Sequence, residues 1–137
     1  MQTFRARRTT LVPLLGLAAL TACESGSALM APGEDCVSCH ATLTVAGTVF
    51  FSATAAADGG LAGVVVTVVD GAGVETRLTS NDAGNFYTHA RLTLPLRGAS
   101  LALNGRTRAM DGGPGGACNS CHADPALDGG PGRLFVP

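Results

Sequence analysis

Two short strings of the sequence place thiols and an imidazole at the same fixed spacing. Residues 36–40 read CVSCH and residues 118–122 read CNSCH. In such a string, the two thiols can each form a thioether with one vinyl group on a porphyrin edge, and the histidine that follows is held under the ring as the proximal ligand of the iron. We therefore expect two covalently bound c-type haems. Their attachment residues are Cys36, Cys39, Cys118 and Cys121, and their proximal ligands are His40 and His122.

Three other uses of paired cysteines remain open. An exported protein permits disulfides, but a disulfide needs no following histidine, and both strings have one. Two C-x-x-C pairs with histidines also resemble structural zinc spacing, although the segment between the strings is far longer than common zinc modules use. Thiol-redox motifs stand at a helix start in a βαβ context, which this sequence lacks. Haem attachment is favoured because the strings use every cysteine after Cys23 and two of the three histidines.

The first 23 residues predict export and lipid attachment. Three arginines in the first eight residues form a positive segment, and an apolar run over 11–20 follows it. At about ten residues, this run is too short for a permanent transmembrane helix, which needs roughly 20. Residues 20–23 read LTAC, which resembles the bacterial lipobox, where cleavage before the cysteine is coupled to acylation of its sulfur. The resemblance implies a signal peptide over 1–22 and lipidation of Cys23; an ordinary signal peptide with a spare cysteine is the alternative.

Removal of the signal peptide leaves an acidic chain. The full sequence carries nine basic and ten acidic residues, for a net charge of −1. The three signal-peptide arginines are lost on cleavage, so the mature chain keeps six basic residues against the same ten acidic ones, a side-chain charge of −4. Such a chain, without a basic patch, has no electrostatic basis for binding nucleic acid. Its charge favours a basic or neutral redox partner over an acidic one.

The composition predicts strands and turns, and it disfavours a helical bundle. Charged residues make up only 14 % of the chain and 19 residues are glycine, a composition typical of short strands joined by tight turns. Residues 64–69 read VVVTVV, a β-branched run typical of a buried strand, and 74–79 alternate apolar and polar residues. Further strands are predicted at 45–52, at 86–94 and on both sides of a hairpin turn at 104–105. The pattern predicts a mainly β fold, a small antiparallel β-sandwich flanked by loop-like haem-binding segments.

Three motifs within 45–94 carry a family resemblance. The string AGTV at 46–49 is followed by GLAGVVVTV at 60–68 and by TSNDAGNFY at 79–87. This order is similar to that of carboxypeptidase regulatory-like domains, which are small prealbumin-like β-sandwiches. The family domain is not itself catalytic, so the resemblance implies a scaffold, a spacer or a contact surface for carbohydrate or protein. No Ser/His/Asp or paired-carboxylate constellation in the sequence argues for hydrolysis.

The order of these parts predicts the organisation of the whole chain. The segments 24–35 and 111–117 are rich in Gly, Pro and Ser and are interpreted as a tether and a loop, giving flexible flanks to a rigid sandwich. In this order the chain resembles predicted bacterial lipoproteins in which such a sandwich lies between two haem-binding strings. The predicted parts are a lipoprotein signal peptide (1–22), a lipid-anchored tether with the first haem motif (23–44), the β-sandwich (45–110) and the second haem motif with the C-terminal tail (111–137).

The sixth ligand of each iron is left open by the sequence. His89 is the only histidine outside the two strings and is a candidate distal ligand that would make one haem bis-histidine; an exposed strand histidine is the alternative. Met110 and Met30 precede the two strings by a few residues and are weaker candidates, since a packing methionine is the commoner case. At most one haem can be bis-histidine from within the chain.

These features together predict an electron carrier and not an enzyme. The expected protein is a dihaem c-type cytochrome lipoprotein, exported and anchored to the outer membrane on its periplasmic or cell-surface side. Its expected partners are redox proteins, among them other multihaem cytochromes, and the membrane through the lipid anchor. Two other classes stay open: a structural or adhesive β-sandwich lipoprotein whose cysteine pairs are disulfides, and a haem-based sensor or enzyme with an open iron site.

Overall fold

The computed structural model describes residues 30–123 and 130–137, so the predicted signal peptide and the predicted lipidation site Cys23 lie outside the described residues. Among the described residues, no helix is long and apolar enough to cross a bilayer. The elements, in chain order, are α1 (Cys36–Cys39), β1 (Val45–Phe50), β2 (Val65–Val69), β3 (Glu75–Thr79), β4 (Asn85–Thr88), β5 (Gly98–Leu103), β6 (Arg106–Met110), α2 (Cys118–Cys121) and β7 (Leu134–Phe135).

The strands form two sheets that pack face to face. One sheet has the order β4-β1-β7 and the other the order β3-β2-β5-β6. All pairs are antiparallel except β1 and β7, which run parallel. Apolar side chains from both sheets share one core, among them Val45, Val49, Phe86, Val66, Val68 and Leu101. The predicted mainly β sandwich is confirmed, and the C-terminal tail adds a strand to it.

Most strands end close to the turns that the sequence predicts. The hairpin turn at Asn104 and Gly105 joins β5 to β6, and both residues have a positive φ (50° and 78°), as a two-residue hairpin turn requires. The predicted strand over 86–94 is wrong in its length, because β4 ends at Thr88. Its partner β1 begins at Val45, directly opposite Thr88, so the ladder has no further residues to pair with.

Strand β1 is buried on both of its faces. All six of its residues are buried, where a strand at a solvent surface would alternate. Val45 and Val49 point into the core between the sheets. Thr48, on the opposite face, accepts a hydrogen bond from the backbone N–H of Gly33, ahead of α1, and bonds to Asn119 in α2. The segments that carry the two C-x-x-C-H strings therefore cover the same strand.

The glycine-rich segment 111–117, predicted to be a flexible loop, is packed against the sandwich. Gly113 and Leu96 exchange two backbone hydrogen bonds of 2.9 and 3.2 Å. The carbonyl of Gly116 accepts from the N–H of Ala46 at 2.9 Å, in line with β1. Gly116 is buried, and a Cβ there would overlap the carbonyl oxygen of Thr44. This close approach sets the position of α2, which begins two residues later.

Candidate functional site

Each C-x-x-C-H string forms a single helical turn, where a loop was expected. In both strings the histidine N–H donates to the carbonyl of the first cysteine at 2.9 Å. The serine between the cysteines also repeats its role, since Ser38 Oγ donates to the Asp35 carbonyl at 2.7 Å and Ser120 Oγ to the Ala117 carbonyl at 2.6 Å. A helical turn places residues three apart on the same side. The two thiols of each string therefore start from neighbouring positions, with the histidine directly after them.

The second string lies at the wall of an apolar cavity of about 370 Å³. The cavity is bounded by core residues of both sheets, among them Val68 from β2 and Phe86 from β4. Its size falls within the range of about 300–1,000 Å³ that is typical of small-molecule and cofactor pockets. Its chemically active lining residues are Cys118, Cys121, His122, Arg108 and Met110.

The imidazole of His122 is held by one of its two ring nitrogens. Nδ1 lies 2.9 Å from the carbonyl oxygen of Gly132. Because a carbonyl can only accept, Nδ1 carries a proton, so in the neutral ring the lone pair is on Nε2. Metal-ligating histidines are oriented in this way, with the second ring nitrogen donating to a backbone carbonyl or a carboxylate. His122 is thus in the tautomer that a metal ligand requires.

Cys118 is packed closely against β1. Gly47 leaves room for it, since a Cβ added at Gly47 would lie 2.8 Å from the Cβ of Cys118. Burial raises the pKa of the Cys118 thiol to about 12, and charge on Cys121 and on Cys36 would push it in the same direction. Cys118 is accordingly a neutral thiol at physiological pH, and Cys121, by contrast, is exposed.

The first string has a different environment. The Asp35 side chain accepts from the N–H of Val37 at 3.2 Å and caps α1. Burial raises the pKa of the Cys36 thiol, whose Sγ lies 3.5 Å from the carbonyl oxygen of Glu34. The Nε2 atom of His40 lies 3.3 Å from the sulfur of Met30. The ring nitrogen of His40 that corresponds to the free Nε2 of His122 thus faces a thioether.

The oxidation states of the thiols differ between the strings. Cys36, Cys118 and Cys121 are free thiols, whereas Cys39 is disulfide-bonded. Neither string is therefore closed by a disulfide between its own two cysteines. A thioether at Cys39 requires the reduced thiol, so the disulfide there and haem attachment exclude each other.

Each candidate sixth ligand lies near only one of the two strings. Met110, at the end of β6, lines the same cavity as His122. His89 is exposed, and its Nδ1 lies 3.1 Å from the carbonyl oxygen of Thr42, two residues after His40. Donation from Nδ1 leaves the Nε2 atom of His89 free, as in His122. His89 and Met30 are therefore close to the first string, and Met110 to the second.

A buried polar network connects the two strings, and the motif analysis missed it. Thr48 Oγ1 donates to Asn85 Oδ1 at 2.7 Å, and the Thr48 N–H donates to Asn119 Oδ1 at 3.0 Å. Asn119 Nδ2 reaches the carbonyl of Glu34, just ahead of α1, at 2.7 Å. Asn119 occupies a variable position between two cysteines, so its identity carries no motif signal. A polar Thr48 within the otherwise apolar β1 was the available sign.

The comparisons with known proteins leave the function to be inferred from the site. No family model, curated protein or solved structure matches the chain. Within residues 30–123 and 130–137, no three His, Cys, Asp or Glu side chains are grouped as a set of metal ligands. Since one fold serves many functions, the β-sandwich does not identify the activity.

Proposed function

We propose that this chain is an exported, lipid-anchored dihaem c-type cytochrome that carries electrons. The observation that carries the proposal is the second string, where two free thiols and a histidine whose Nδ1 donates to a backbone carbonyl line one apolar cavity. An attachment site for a c-type haem needs this donor set together with an apolar surface for the ring. The three residues are Cys118, Cys121 and His122.

The residues of the second site fit a haem in chemical terms. Cys118 and Cys121 would each add an S–H bond across one vinyl group, with sulfur on one carbon and hydrogen on the other, so that attachment consumes no oxidant. His122 would ligate the iron through Nε2, and Arg108 at the cavity lining offers a cation for a propionate. When bound, the haem supplies reversible one-electron chemistry at its iron. The mainly apolar lining of the cavity would offer the ring an apolar surface.

The first site fits a haem with two local changes. The free thiol of Cys36 and the imidazole of His40 are available, while Cys39 must be reduced before it can form a thioether. The contact between His40 Nε2 and the sulfur of Met30 must also open. His89, with its free Nε2 near the loop after His40, supports bis-histidine ligation at this site.

The β-sandwich serves as a scaffold in this proposal. Its resemblance to carboxypeptidase regulatory-like domains supports a structural role without catalysis. The chain would be anchored to the outer membrane through Cys23, on the periplasmic or cell-surface side, and would exchange electrons with redox proteins, among them other multihaem cytochromes. The negative charge of the mature chain favours a basic or neutral partner surface.

The proposal is tested by the intact mass and pyridine haemochrome spectrum of the full chain, expressed in a host with cytochrome c maturation machinery. We expect a mass increase of two haems and a c-type spectrum. The paired variants Cys36→Ser/Cys39→Ser and Cys118→Ser/Cys121→Ser should each lose one haem and keep the other. A protein that binds no haem in this host would overturn the proposal.

A structural or adhesive lipoprotein is the second candidate, because one cysteine of the first string is disulfide-bonded. In that case the same mass measurement would show no haem, and Cys39 would resist alkylation until a reductant is added.

A haem-based sensor or enzyme is recognised by carbon monoxide binding to an open ferrous site. Two fully low-spin haems would argue against that class.

A further inference from the structure

The two C-x-x-C-H strings meet at one backbone carbonyl. The carbonyl oxygen of Glu34 accepts a hydrogen bond from Asn119 Nδ2 at 2.7 Å, and Cys36 Sγ approaches the same oxygen at 3.5 Å. Asn119 belongs to the second string, between Cys118 and Ser120, and Cys36 opens the first. Strings that are far apart in the sequence are thus linked in the fold through the carbonyl of Glu34, two residues ahead of the first string.

The contact is held by a network that is almost completely buried. Thr48, Asn85 and Asn119 are exposed by only 0 %, 5 % and 3 %. Asn119 bonds to Thr48 twice, through Thr48 N–H to Oδ1 (3.0 Å) and from Nδ2 to Thr48 Oγ1 (3.1 Å). Among the described residues, no buried side-chain nitrogen or oxygen lacks a hydrogen-bond partner. A fully satisfied buried network resists rearrangement, because breaking one bond leaves a polar group without water.

The network also reaches the segment ahead of the first string. Thr48 Oγ1 accepts from the N–H of Gly33, and Asn85 Nδ2 donates to the carbonyl of Met30 at 2.5 Å. The first string is therefore fastened to β1 and β4 through backbone groups, and the second string through the side chain of Asn119. The two attachment sites are parts of one rigid unit.

We propose that Asn119, with Thr48 and Asn85, holds the two haem-attachment strings in contact, so that the two haems of this chain interact and are reduced as a coupled pair. The inference rests on the proposed function and deepens it. Asn119 acts as a positioning residue, since its side-chain hydrogen bonds go to Thr48 and Glu34 and not to a thiol or a proximal histidine. When two redox centres are held close together, the charge of one changes the reduction potential of the other. Reduction of the first therefore disfavours reduction of the second, as in any pair of coupled titrations.

Circular dichroism in the Soret region tests the interaction directly in the full holoprotein. Two haems in contact couple their electronic transitions and produce a pair of bands of opposite sign. We expect this couplet in the wild-type protein and its absence from the sum of the spectra of the two single-haem variants, Cys36→Ser/Cys39→Ser and Cys118→Ser/Cys121→Ser. A spectroelectrochemical titration of the wild-type protein should show two reduction waves that lie further apart than the potentials of the two single-haem variants measured separately.

Two substitutions test the role of Asn119. Asn119→Ala removes all of its bonds, and Asn119→Asp keeps the acceptor for the Thr48 N–H but removes the donor to Glu34. Both should retain two haems and lose at least half of the couplet amplitude, with a smaller separation of the two reduction waves. Thr107→Ala is the control, because Thr107 is an exposed polar residue of β6 outside both strings and should leave the couplet unchanged.

The outcomes separate this inference from the proposed function. A protein without haem overturns both. Two haems with a wild-type Soret spectrum equal to the sum of the single-haem variants overturn the coupling alone. If Asn119→Ala fails to fold, the wild-type spectrum still tests the coupling and Asn119→Asp still tests the role of Asn119. A full couplet in Asn119→Asp would overturn that role.

Discussion

The two C-x-x-C-H strings have the same local structure in different surroundings. Both form one helical turn closed by a histidine N–H to cysteine carbonyl bond of 2.9 Å. The second string lies on an apolar cavity, and its histidine donates from Nδ1 to the Gly132 carbonyl. In the first string, the Nε2 atom of His40 faces the sulfur of Met30, and Cys39 is disulfide-bonded.

The difference follows from how each string is attached to the sandwich. The second string is fixed on both sides, by Gly116 beside β1 ahead of it and by β7, paired with β1, behind it. The first string has a strand of the sandwich only after it, and the residues ahead of it are tied through Gly33 and Met30. The short motif therefore determines the helical turn of each string. The residues packed around the string determine which of its faces is covered and which ring nitrogen of its histidine is free.

The largest effect is expected from the proximal histidines. Under the proposed function, His122→Ala and His40→Ala should each remove the low-spin signature of one haem, because each histidine would ligate a different iron. The haem that stays low-spin in His40→Ala would be that of the apolar second site, with Met110 in its cavity, so its reduction potential should exceed that of the low-spin haem in His122→Ala by on the order of 100 mV. Visible spectra and redox titration of the two variants measure this difference. Equal potentials would contradict the asymmetry of the two sites.

The next effect concerns how the second string is placed. In Gly116→Ala, the new Cβ would overlap the Thr44 carbonyl oxygen, and we expect a loss of about 2 kcal/mol or more in the free energy of unfolding, with less haem on the second string than on the first. Gly115→Ala is the matched control, because nothing lies within 4 Å of a Cβ there. Denaturant unfolding and peptide mass mapping provide the measurements. Equal haem loss from both strings would show that Gly116 does not act on the second site specifically.

A smaller effect is expected from the two methionines. Met110→Leu keeps the apolar volume but removes the thioether from the cavity, so the potential of the second haem should fall and the near-infrared sulfur-to-iron band should disappear. Met30→Leu should leave the second haem unchanged, since Met30 contacts His40. The single-haem variant that keeps the second string isolates the signal. A band that survives Met110→Leu and is lost in Met30→Leu would reverse the assignment.

The smallest effect tests the sandwich that both strings share. The backbone N–H groups of Thr93, then Val74, then Ala72 donate to the carboxylate of Asp70 and lower its pKa. The stabilisation is therefore present above the unfolded pKa of about 3.9 and is lost as the pH falls through the lower folded value.

Asp70→Asn should accordingly lower the Tm by a few degrees at pH 7 and by less at pH 3, measured by thermal unfolding. Asp82→Asn, in an exposed turn, serves as its control. Because Asp70 lies in neither string, both haems should keep their spectra. A selective change in one haem would mean that the two sites do not share a common scaffold.

Much of the fold was predictable because it depends on local patterns. The β-branched run at 64–69 and the Asn104-Gly105 turn specify a strand and a hairpin through backbone preferences alone. The parallel pairing of Leu134 and Phe135 with β1 was not predictable, since two residues carry no periodicity. The early end of β4 at Thr88 was also missed, because it depends on where its partner strand begins.

For the candidate site, the sequence by itself determined the donor atoms. The spacing of each C-x-x-C-H string puts two thiols and an imidazole on one helical turn, because the helical repeat brings residues three apart together. Only the tertiary structure decided that Met110 shares a cavity with His122, that Nδ1 of His122 donates to Gly132, and that Asn119 joins the strings at Glu34. These contacts join residues far apart in the chain, and their energy comes from burial and hydrogen bonds that exist only once both sheets have packed.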